Sequence, residues 1–547
     1  MVRRTRVVRR CAPAPSGANV RRSWWGKRPG CSHVRVKSTP AAAPEPTSPS
    51  RADGAVACFL ALLFAALFGL SLQERLWGDG RDILNLLTWD ERAWWRSWPH
   101  VLHTHVALLF GALGPFERVH DDFALASAVP AGVAVGALYF ASRLLGAARL
   151  AAAFAAVLAG GAPVVCFFAT MLEVHTLHFG VVSVALVASL WCGARWSGAR
   201  FHAAHGALFL VVALSHLTSA TLVPIWALLG WFARGRRGRR GARRELRDDL
   251  GAIGVDLVIA GAGFAAALTL SQLLHYEEAS SSAVSDIGTM ILGSIGALGP
   301  RYFLDEWIAP LGVAALFGPW ACSVLVVPAL RRALGEGTRD WLVVTVLGGL
   351  PVFAFFTLWA FDNEGGYALG ILPFLVVAGA LLATRFVRNR AALFIGGALV
   401  VLQAFLGHAA LVSWRADLAL AGTVQRRTAF VALLHGGERV IAIDIGGQPL
   451  DWYVPRVVER DFVRVARGLD GDAMRAAVRA EIESLAADRA TPIYIDYAYR
   501  YWNVPGTPAA ELIEMFETEL LRVFDFERVT DAGWPIARLV PRAASDS

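Results

Sequence analysis

The chain has 547 residues, of which 56% are hydrophobic and 18% are charged, and its mean hydropathy is +0.48. Soluble domains usually carry a charged fraction of about a quarter, so this composition excludes an ordinary soluble protein and indicates an integral membrane protein. The net charge of +8 rests on arginine, since only Lys27 and Lys37 are lysines, and it does not predict nucleic-acid binding. The six cysteines include no Cys-x-x-Cys pair, which excludes a disulfide scaffold and a thiolate zinc site.

The first 53 residues differ from the rest of the chain. Residues 1–53 hold twelve Lys and Arg against Glu45 and Asp53, with no apolar periodicity between them. Such a segment cannot bury enough apolar surface to fold alone, so it is predicted to be a disordered basic tail in the cytoplasm. The first apolar segment, 54–72, lies too far from the start for a signal peptide, and it is long enough to cross a bilayer core of about 30 Å.

Apolar segments continue to residue 413 and predict a polytopic α-helical membrane domain over 54–413. They lie at 54–72, 123–142, 150–169, 174–194, 203–232, 249–274, 307–330, 340–361, 367–385 and 391–413. Short arginine-rich loops stay in the cytoplasm. The eight arginines between Arg234 and Arg247 fall there only if 203–232 splits into two short half-spans at the turn 215–219. The sequence therefore predicts about 11 spans in a plasma (inner) membrane, with a cytoplasmic N-terminus and an extracytoplasmic C-terminal domain.

Residues 414–547 have the pattern of a small α/β domain. Strand-like runs at 439–444, 492–497, 522–526 and 534–540 alternate with helix-like segments at 474–487 and 509–521. The segment contains no glycine-rich phosphate loop, because the pair Gly446 and Gly447 after a strand is too short a signal. A solvated domain outside the cytoplasm is expected.

Polar residues collect at the predicted outer face. The first outer loop, 73–122, carries five tryptophans between Trp77 and Trp98, which suit helices lying in the bilayer interface. Three more stretches are predicted to face the same side. Glu173, His175 and His178 lie at the start of the span 174–194, and His216 lies in the turn 215–219. Asp362 and Glu364 follow the span 340–361. Ionisable residues at membrane depth are rare without a partner or a function, so their clustering on one side predicts a functional site.

This order of motifs resembles the large GT-C class of membrane glycosyltransferases, and within it protein O-mannosyltransferase-like relatives. The resemblance is carried by GDGRDILN (78–85), HVLHTHVALLFGALG (100–114), EVHTLHFG (173–180), VALSHLTSATLVP (212–224) and EGGYALGILP (364–373). It departs from the relatives at His175, where they have tyrosine, and at Ser215, where they have asparagine. Covering 54–413, it implies a GT-C-like fold and an inverting glycosyltransferase. Such an enzyme moves a hexosyl or pentosyl group from a polyprenyl-phosphate carrier to a hydroxyl of an extracytoplasmic protein, glycan or lipid acceptor.

The resemblance also implies site residues. Asp79 occupies the catalytic acidic position, where a carboxylate takes the proton of the acceptor hydroxyl as general base, and Asp82 is its alternate or partner. Donors aimed at the departing phosphate stabilise the charge that develops there. The predicted catalytic residues are Asp79, Asp82 and Glu173, and the predicted substrate-binding residues are Arg81, His103, His105, His175, His216, Arg301, Glu364 and Tyr367.

Other interpretations remain open at this point. His100, His103 and His105, with Glu173 and His175, offer nitrogen and oxygen ligands, yet their spacing matches no known helix metal motif. No cofactor is therefore required and no metal ligands are assigned, although two close carboxylates leave room for a divalent cation. A transporter or flippase of lipid-linked substrates would also tolerate broken helices. A membrane anchor that presents the C-terminal domain as a binding module is the third interpretation.

Overall fold

The structure is a computed structural model of the chain. It describes residues 49–73, 100–114, 116, 119–238, 246–273, 304–328, 332, 334–359, 365–387, 389–415, 430, 440–444, 457–466, 469–488, 490–496, 508–530 and 536–542. The predicted tail 1–53 therefore lies almost entirely outside the described residues.

Thirteen main helices are described between residues 51 and 415. They are α1 Arg51–Gly69, α2 Val101–Leu113, α3 Val119–Leu144, α4 Arg149–Gly160, α5 Pro163–Ala169, α6 Val174–Arg195, α7 Gly198–Ser215, α8 Val223–Gly238, α9 Leu246–Leu273, α10 Phe317–Val326, α11 Glu336–Trp359, α12 Leu372–Ala383 and α13 Arg390–Arg415. Short helical turns at Leu217–Leu222, Leu304–Ile308, Ala309–Leu311, Gly312–Leu316 and Gly366–Gly370 precede α8, α10 and α12.

The predicted polytopic helical fold is confirmed. Within the described part of the chain, nine helices are long and apolar enough to cross a membrane, and α4 with α5, bent by 59°, forms a tenth if the pair counts as one span. The one predicted span that is not among these, 367–385, corresponds to the turn Gly366–Gly370 and α12, an apolar helix of 12 residues that is shorter than a span. The half-spans predicted within 203–232 are wrong in length. The chain does break at His216, but the two helices extend beyond the apolar run and reach 18 residues at Gly198–Ser215 and 19 at Leu217–Gly235.

Small residues bring the first helices of the bundle into close contact. A Cβ added at Gly132 would lie 2.4 Å from the backbone nitrogen of Ala65, and one added at Gly136 would lie 2.4 Å from the carbonyl oxygen of Ala57. These glycines therefore let α3 approach the backbone of α1, which is how helices associate in a membrane where no hydrophobic effect drives them together. Residue 132 faces 65 and residue 136 faces 57, so α1 and α3 are antiparallel.

A buried carboxylate fixes one end of this helix pair. Asp53, 1% exposed, accepts from Arg143 at 3.0 Å, from Arg149 at 2.9 Å and from the hydroxyl of Tyr139 at 3.2 Å. Asp53 also completes a capping box with Ser50 at the start of α1. A carboxylate in this position needs such partners, because burial without them costs several kcal/mol.

Short connections join successive helices, so the helix termini lie at two opposite ends of the bundle. One end, called the arginine end below, carries the termini at Arg51, Arg143, Arg149, Arg195, Arg200 and Arg234. The opposite end, called the histidine end, carries Gln73, His100, the turn 170–173, His216 and Gly366. These arginines and the two histidines thus lie at opposite ends of the helices.

The predicted C-terminal α/β domain is confirmed. Its five-stranded sheet comprises β1 Val440–Asp444, β2 Val457–Asp461, β3 Ile493–Asp496, β4 Phe524–Thr530 and β5 Ile536–Pro541, in the order β2-β1-β3-β5-β4. Strand β1 pairs in parallel with both β2 and β3, and β5 pairs antiparallel with both β3 and β4. Helices α14, Gly471–Ala487, and α15, Pro508–Val523, bury apolar residues in the same core as Ile493 and Ile495. Strand β2 was not predicted from the sequence, because Glu459, Arg460 and Asp461, its last three residues, interrupt the apolar alternation.

Candidate functional site

The turn between α5 and α6 is anchored to its neighbours by hydrogen bonds. Glu173, 2% exposed, is the N-cap of α6, and its Oε1 accepts from the backbone N–H of Val174 at 3.0 Å. The Ser127 hydroxyl donates to the Glu173 carbonyl at 2.8 Å and lies 3.1 Å from its backbone nitrogen. Gln73 donates from its backbone N–H to the Thr170 carbonyl at 2.6 Å. Gln73, the last described residue before the segment 74–99, therefore lies directly beside this turn.

Four buried imidazole rings meet at the histidine end. His216 lies at the centre: its ring centroid is 4.4 Å from that of His100, 5.1 Å from that of His175 and 5.4 Å from that of His178. The four residues, called the histidine cluster below, come from the loop before α2, from α6 and from the break after α7, and they are all buried. Three segments distant in sequence therefore converge on one point.

Hydrogen bonds orient two of these rings. The backbone N–H of Thr218 donates to Nδ1 of His216 at 3.2 Å, so a neutral His216 ring carries its proton on Nε2. Nδ1 of His178 lies 2.8 Å from the hydroxyl of Ser215. An imidazole with a fixed tautomer presents a defined N–H donor, which is useful for stabilising an anion.

Tyr367 and Gly366 cover the cluster from the segment before α12. The Tyr367 ring lies edge-on to His175 at 5.5 Å and stacks on Phe356 at 4.4 Å. A Cβ added at Gly366 would lie 2.9 Å from the His175 ring, closer than ordinary contact allows. Only glycine lets this backbone lie against the imidazole.

Two members of the cluster, His175 and His178, line a narrow cavity. Its lining residues are His175, His178, Thr218, Thr221, Leu222, Val352, Phe356, Gly366, Tyr367 and Gly370, and its volume is about 10 Å³. This is space for about one water molecule. The cavity is too small to enclose a sugar, so it is not itself a sugar-binding pocket.

No metal centre is formed by the described residues: none of their groups of three or more His, Cys, Asp or Glu side chains could hold an ion. The rings of the histidine cluster approach one another face to face or tilted, whereas metal ligands direct their nitrogens at a common point. Asp79 and Asp82, the two carboxylates that leave room for a divalent cation, lie outside the described residues.

The structure brings together some of the predicted site residues. Glu173, His175, His216 and Tyr367 lie within or beside the cluster. His103 is fully buried on α2 and interacts electrostatically with His216. His105 is two residues further along α2, about 200° around the helix, and its Nδ1 lies 2.7 Å from the carbonyl of Val101 in the same helix. His103 and His105 therefore do not share a face.

The remaining predicted site residues lie outside the described residues. They are Asp79, Arg81, Asp82, Arg301 and Glu364. Conversely, sequence analysis gave no site role to His100 and His178, although it noted both. The sequence did contain a signal for His178, because it lies one helical turn after the predicted site residue His175 on α6.

No protein-family model matches the sequence, and no curated protein matches it. Among solved structures, the chain is similar to ArnT from Cupriavidus metallidurans bound to undecaprenyl phosphate, with a TM-score of 0.50 and 14% identity over 91% of this chain and 99% of that chain. The chain has a GT-C fold.

Two weaker similarities were also found. One is to the oligosaccharyltransferase of Archaeoglobus fulgidus in complex with zinc and sulfate, with a TM-score of 0.41 and 13% identity over 87% of this chain and 73% of that chain. The other is to the arabinofuranosyltransferase AftD from Mycobacteria, with a TM-score of 0.42 and 14% identity over 91% of this chain and 40% of that chain. The fold assignment rests on the ArnT structure, which this chain spans almost completely.

Proposed function

We propose that the chain is an integral-membrane, inverting glycosyltransferase that moves a sugar from a polyprenyl-phosphate carrier to an acceptor hydroxyl outside the cytoplasm. The GT-C fold supports lipid-linked sugar transfer in general, and the solved ArnT structure binds undecaprenyl phosphate. The sequence resemblance to protein O-mannosyltransferase-like relatives favours a hydroxyl acceptor on a protein, glycan or lipid. The donor sugar is a hexose or a pentose.

One observation carries the proposal: both ends of the acidic loop segment lie at the histidine end. Gln73 is hydrogen-bonded to Thr170, three residues before Glu173, and the His100 ring contacts the His216 ring in a tilted arrangement at 4.4 Å. The segment that carries Asp79, Arg81 and Asp82 thus starts and ends beside the buried cluster. Six residues separate Asp79 from Gln73, a reach of at most about 22 Å.

In the proposed reaction, Asp79 and His216 have separate roles. The acceptor oxygen attacks the anomeric carbon, the bond from that carbon to the phosphate oxygen breaks, and polyprenyl phosphate leaves with the electron pair. Asp79 takes the acceptor proton, a contribution of about 10² to 10⁴ in rate. The Nε2–H of His216 is a donor for the departing phosphate, and a single displacement inverts the anomeric configuration.

The placement of arginine supports an extracytoplasmic site. Arg143, Arg149, Arg195 and Arg200 lie at the arginine end, and short loops rich in arginine stay in the cytoplasm. The histidine end, on the other side of the bundle, then faces the exterior and the outer leaflet. We therefore propose that the N-terminus lies in the cytoplasm and the C-terminal domain outside it.

The test uses the purified full chain in nanodiscs with polyprenyl-phosphate hexoses and pentoses. Release of free polyprenyl phosphate and transfer of sugar to hydroxyl acceptors are measured. The parent should release the carrier from one donor, and Asp79→Asn should be slower by about 10² to 10⁴. The matched control is Glu336→Gln, whose exposed carboxylate lies at the arginine end; it should keep the parental rate.

Two results would overturn the proposal. One is that no donor in the panel loses its sugar. The other is that proteoliposomes move an intact lipid-linked sugar between leaflets without cleaving it, which would establish the flippase interpretation. Unchanged turnover in Asp79→Asn would remove the general-base assignment while leaving the class of enzyme standing.

A further inference from the structure

A groove runs along the outside of the bundle between α7 and α9. It is lined by His202, Ala203, Gly206, Ala207, Leu210, Ile259 and Gly263 and has a volume of about 310 Å³. The two helices are in close contact at its floor, because a Cβ added at Gly206 would lie 2.7 Å from Ile259. Glycine and alanine on the walls leave the space that larger side chains would fill.

The groove opens to the hydrocarbon region of the bilayer. Helix α9 is a peripheral span, with only 17% of its apolar window buried. Its outward residues include Val255, Leu257 and Val258, and Ala203 and Ala207 are exposed on α7. An occupant at this depth must be apolar along its length. From His202 to Leu210 the groove extends about 12 Å, within the roughly 15 Å of one leaflet's hydrocarbon.

The polar end of the groove lies at headgroup level at the arginine end. Trp191 and Trp196, both more than a third exposed, contact each other edge-on, and Arg195 stacks over Trp191 at 4.0 Å. Tryptophan and arginine in this arrangement mark the membrane interface. Arg200 is exposed two residues before His202.

Positive charge dominates this end. Asp256, fully buried, is bound by Arg234 at 2.6 Å and by Nδ1 of His202 at 3.0 Å, so its negative charge is already matched. Arg195 and Arg200 are further exposed cations at this end, where Asp249, near the start of α9, is a described acidic residue. The local charge therefore complements an anionic headgroup rather than a zwitterionic one.

We propose that this groove binds one anionic glycerophospholipid of the leaflet at the arginine end. One acyl chain lies along Ala203, Ala207 and Leu210, and the phosphate headgroup lies at the level of His202, where Arg200 attracts it. The proposal is independent of sugar transfer, since the polar end of the groove and the histidine cluster lie at opposite ends of α7.

The test is native mass spectrometry of the detergent-purified full chain, titrated with phosphatidylglycerol and phosphatidylcholine of identical acyl chains. One phosphatidylglycerol should be retained about tenfold more tightly than phosphatidylcholine. Ala207→Leu, which fills the groove, should lower retention of both lipids about tenfold, with Ala203→Leu as a second filling variant. Arg200→Gln should lower phosphatidylglycerol affinity about fivefold and leave phosphatidylcholine unchanged.

The control is Ala265→Leu on the exposed face of α9, about 200° around the helix from Gly263. It should retain phosphatidylglycerol like the parent. Equal retention of the two lipids, or parental retention in both groove-filling variants, would overturn the proposal. Polyprenyl phosphate that displaces phosphatidylglycerol one for one from the parent but not from Ala207→Leu would also overturn it, because the groove would then belong to the carrier.

Discussion

The substitution Gly366→Ala tests the packing of the histidine cluster. The new Cβ would lie 2.9 Å from Cδ2 and Nε2 of His175, whereas ordinary contact begins at 3.4 Å, so the ring must move by about 0.5 Å. The ring has little room to do so, because His175 stacks on His216 at 5.1 Å and lies edge-on to Phe168 at 4.7 Å. Overpacking of this kind costs about 1–3 kcal/mol.

We expect two effects of Gly366→Ala. The detergent-purified variant should unfold at a lower temperature than the parent, with unchanged helical content by circular dichroism. Its rate of carrier release should fall about tenfold, since a 1 Å displacement of a positioning group can cost about 10²-fold. Gly397→Ala is the matched control, because a Cβ there meets nothing within 4 Å. Parental melting and parental turnover in Gly366→Ala would refute the assigned packing of the cluster.

Two further predictions concern charged pairs outside the site. Asp53→Ala leaves Arg143, one-tenth exposed, without its carboxylate, and should destabilise the bundle by about 3–5 kcal/mol in thermal unfolding; a loss below about 1 kcal/mol would contradict the ion-pair assignment. In the C-terminal domain, the side-chain hydrogen bond from Arg479 holds the pKa of Glu519 below its ordinary value of 4.5. The pair should therefore stabilise the domain above pH 4.5 and lose this effect as the pH falls further. Pepsin cleavage of the parent should rise more steeply with acid than that of Glu519→Gln, and identical profiles would exclude this linkage.

The membrane fold could be predicted from sequence because hydropathy and span length are properties of contiguous residues. The break at His216 was also predictable, since only a split there places the arginines after Arg234 in the cytoplasm. The helix lengths around the break were not, because Gly198–Phe201 and Ala233–Gly235 continue the helices beyond the apolar run. Helical hydrogen bonding does not stop where hydrophobicity stops.

The site could be predicted only in part. Glu173, His175, His216 and Tyr367 were found from motifs that resemble a known family, and the structure places them together. The central position of His216 and the contact with His100 depend on how α2, α6 and α7 pack, which no local pattern encodes. The same is true of Gly366, whose requirement arises from His175, nearly two hundred residues earlier.

The most direct test of the account is whether Asp79 lies beside the histidine cluster. The background lacks Cys11, Cys31 and the exposed Cys58 and Cys322. In it, the pair Asp79→Cys and Thr218→Cys is treated in membranes with a short bis-maleimide, and the pair Asp79→Cys and Ala199→Cys, with position 199 at the arginine end, serves as the control. We predict an intramolecular cross-link between positions 79 and 218 and none between 79 and 199. A cross-link to 199, or none to 218 while both cysteines react with a single maleimide, would contradict a shared site.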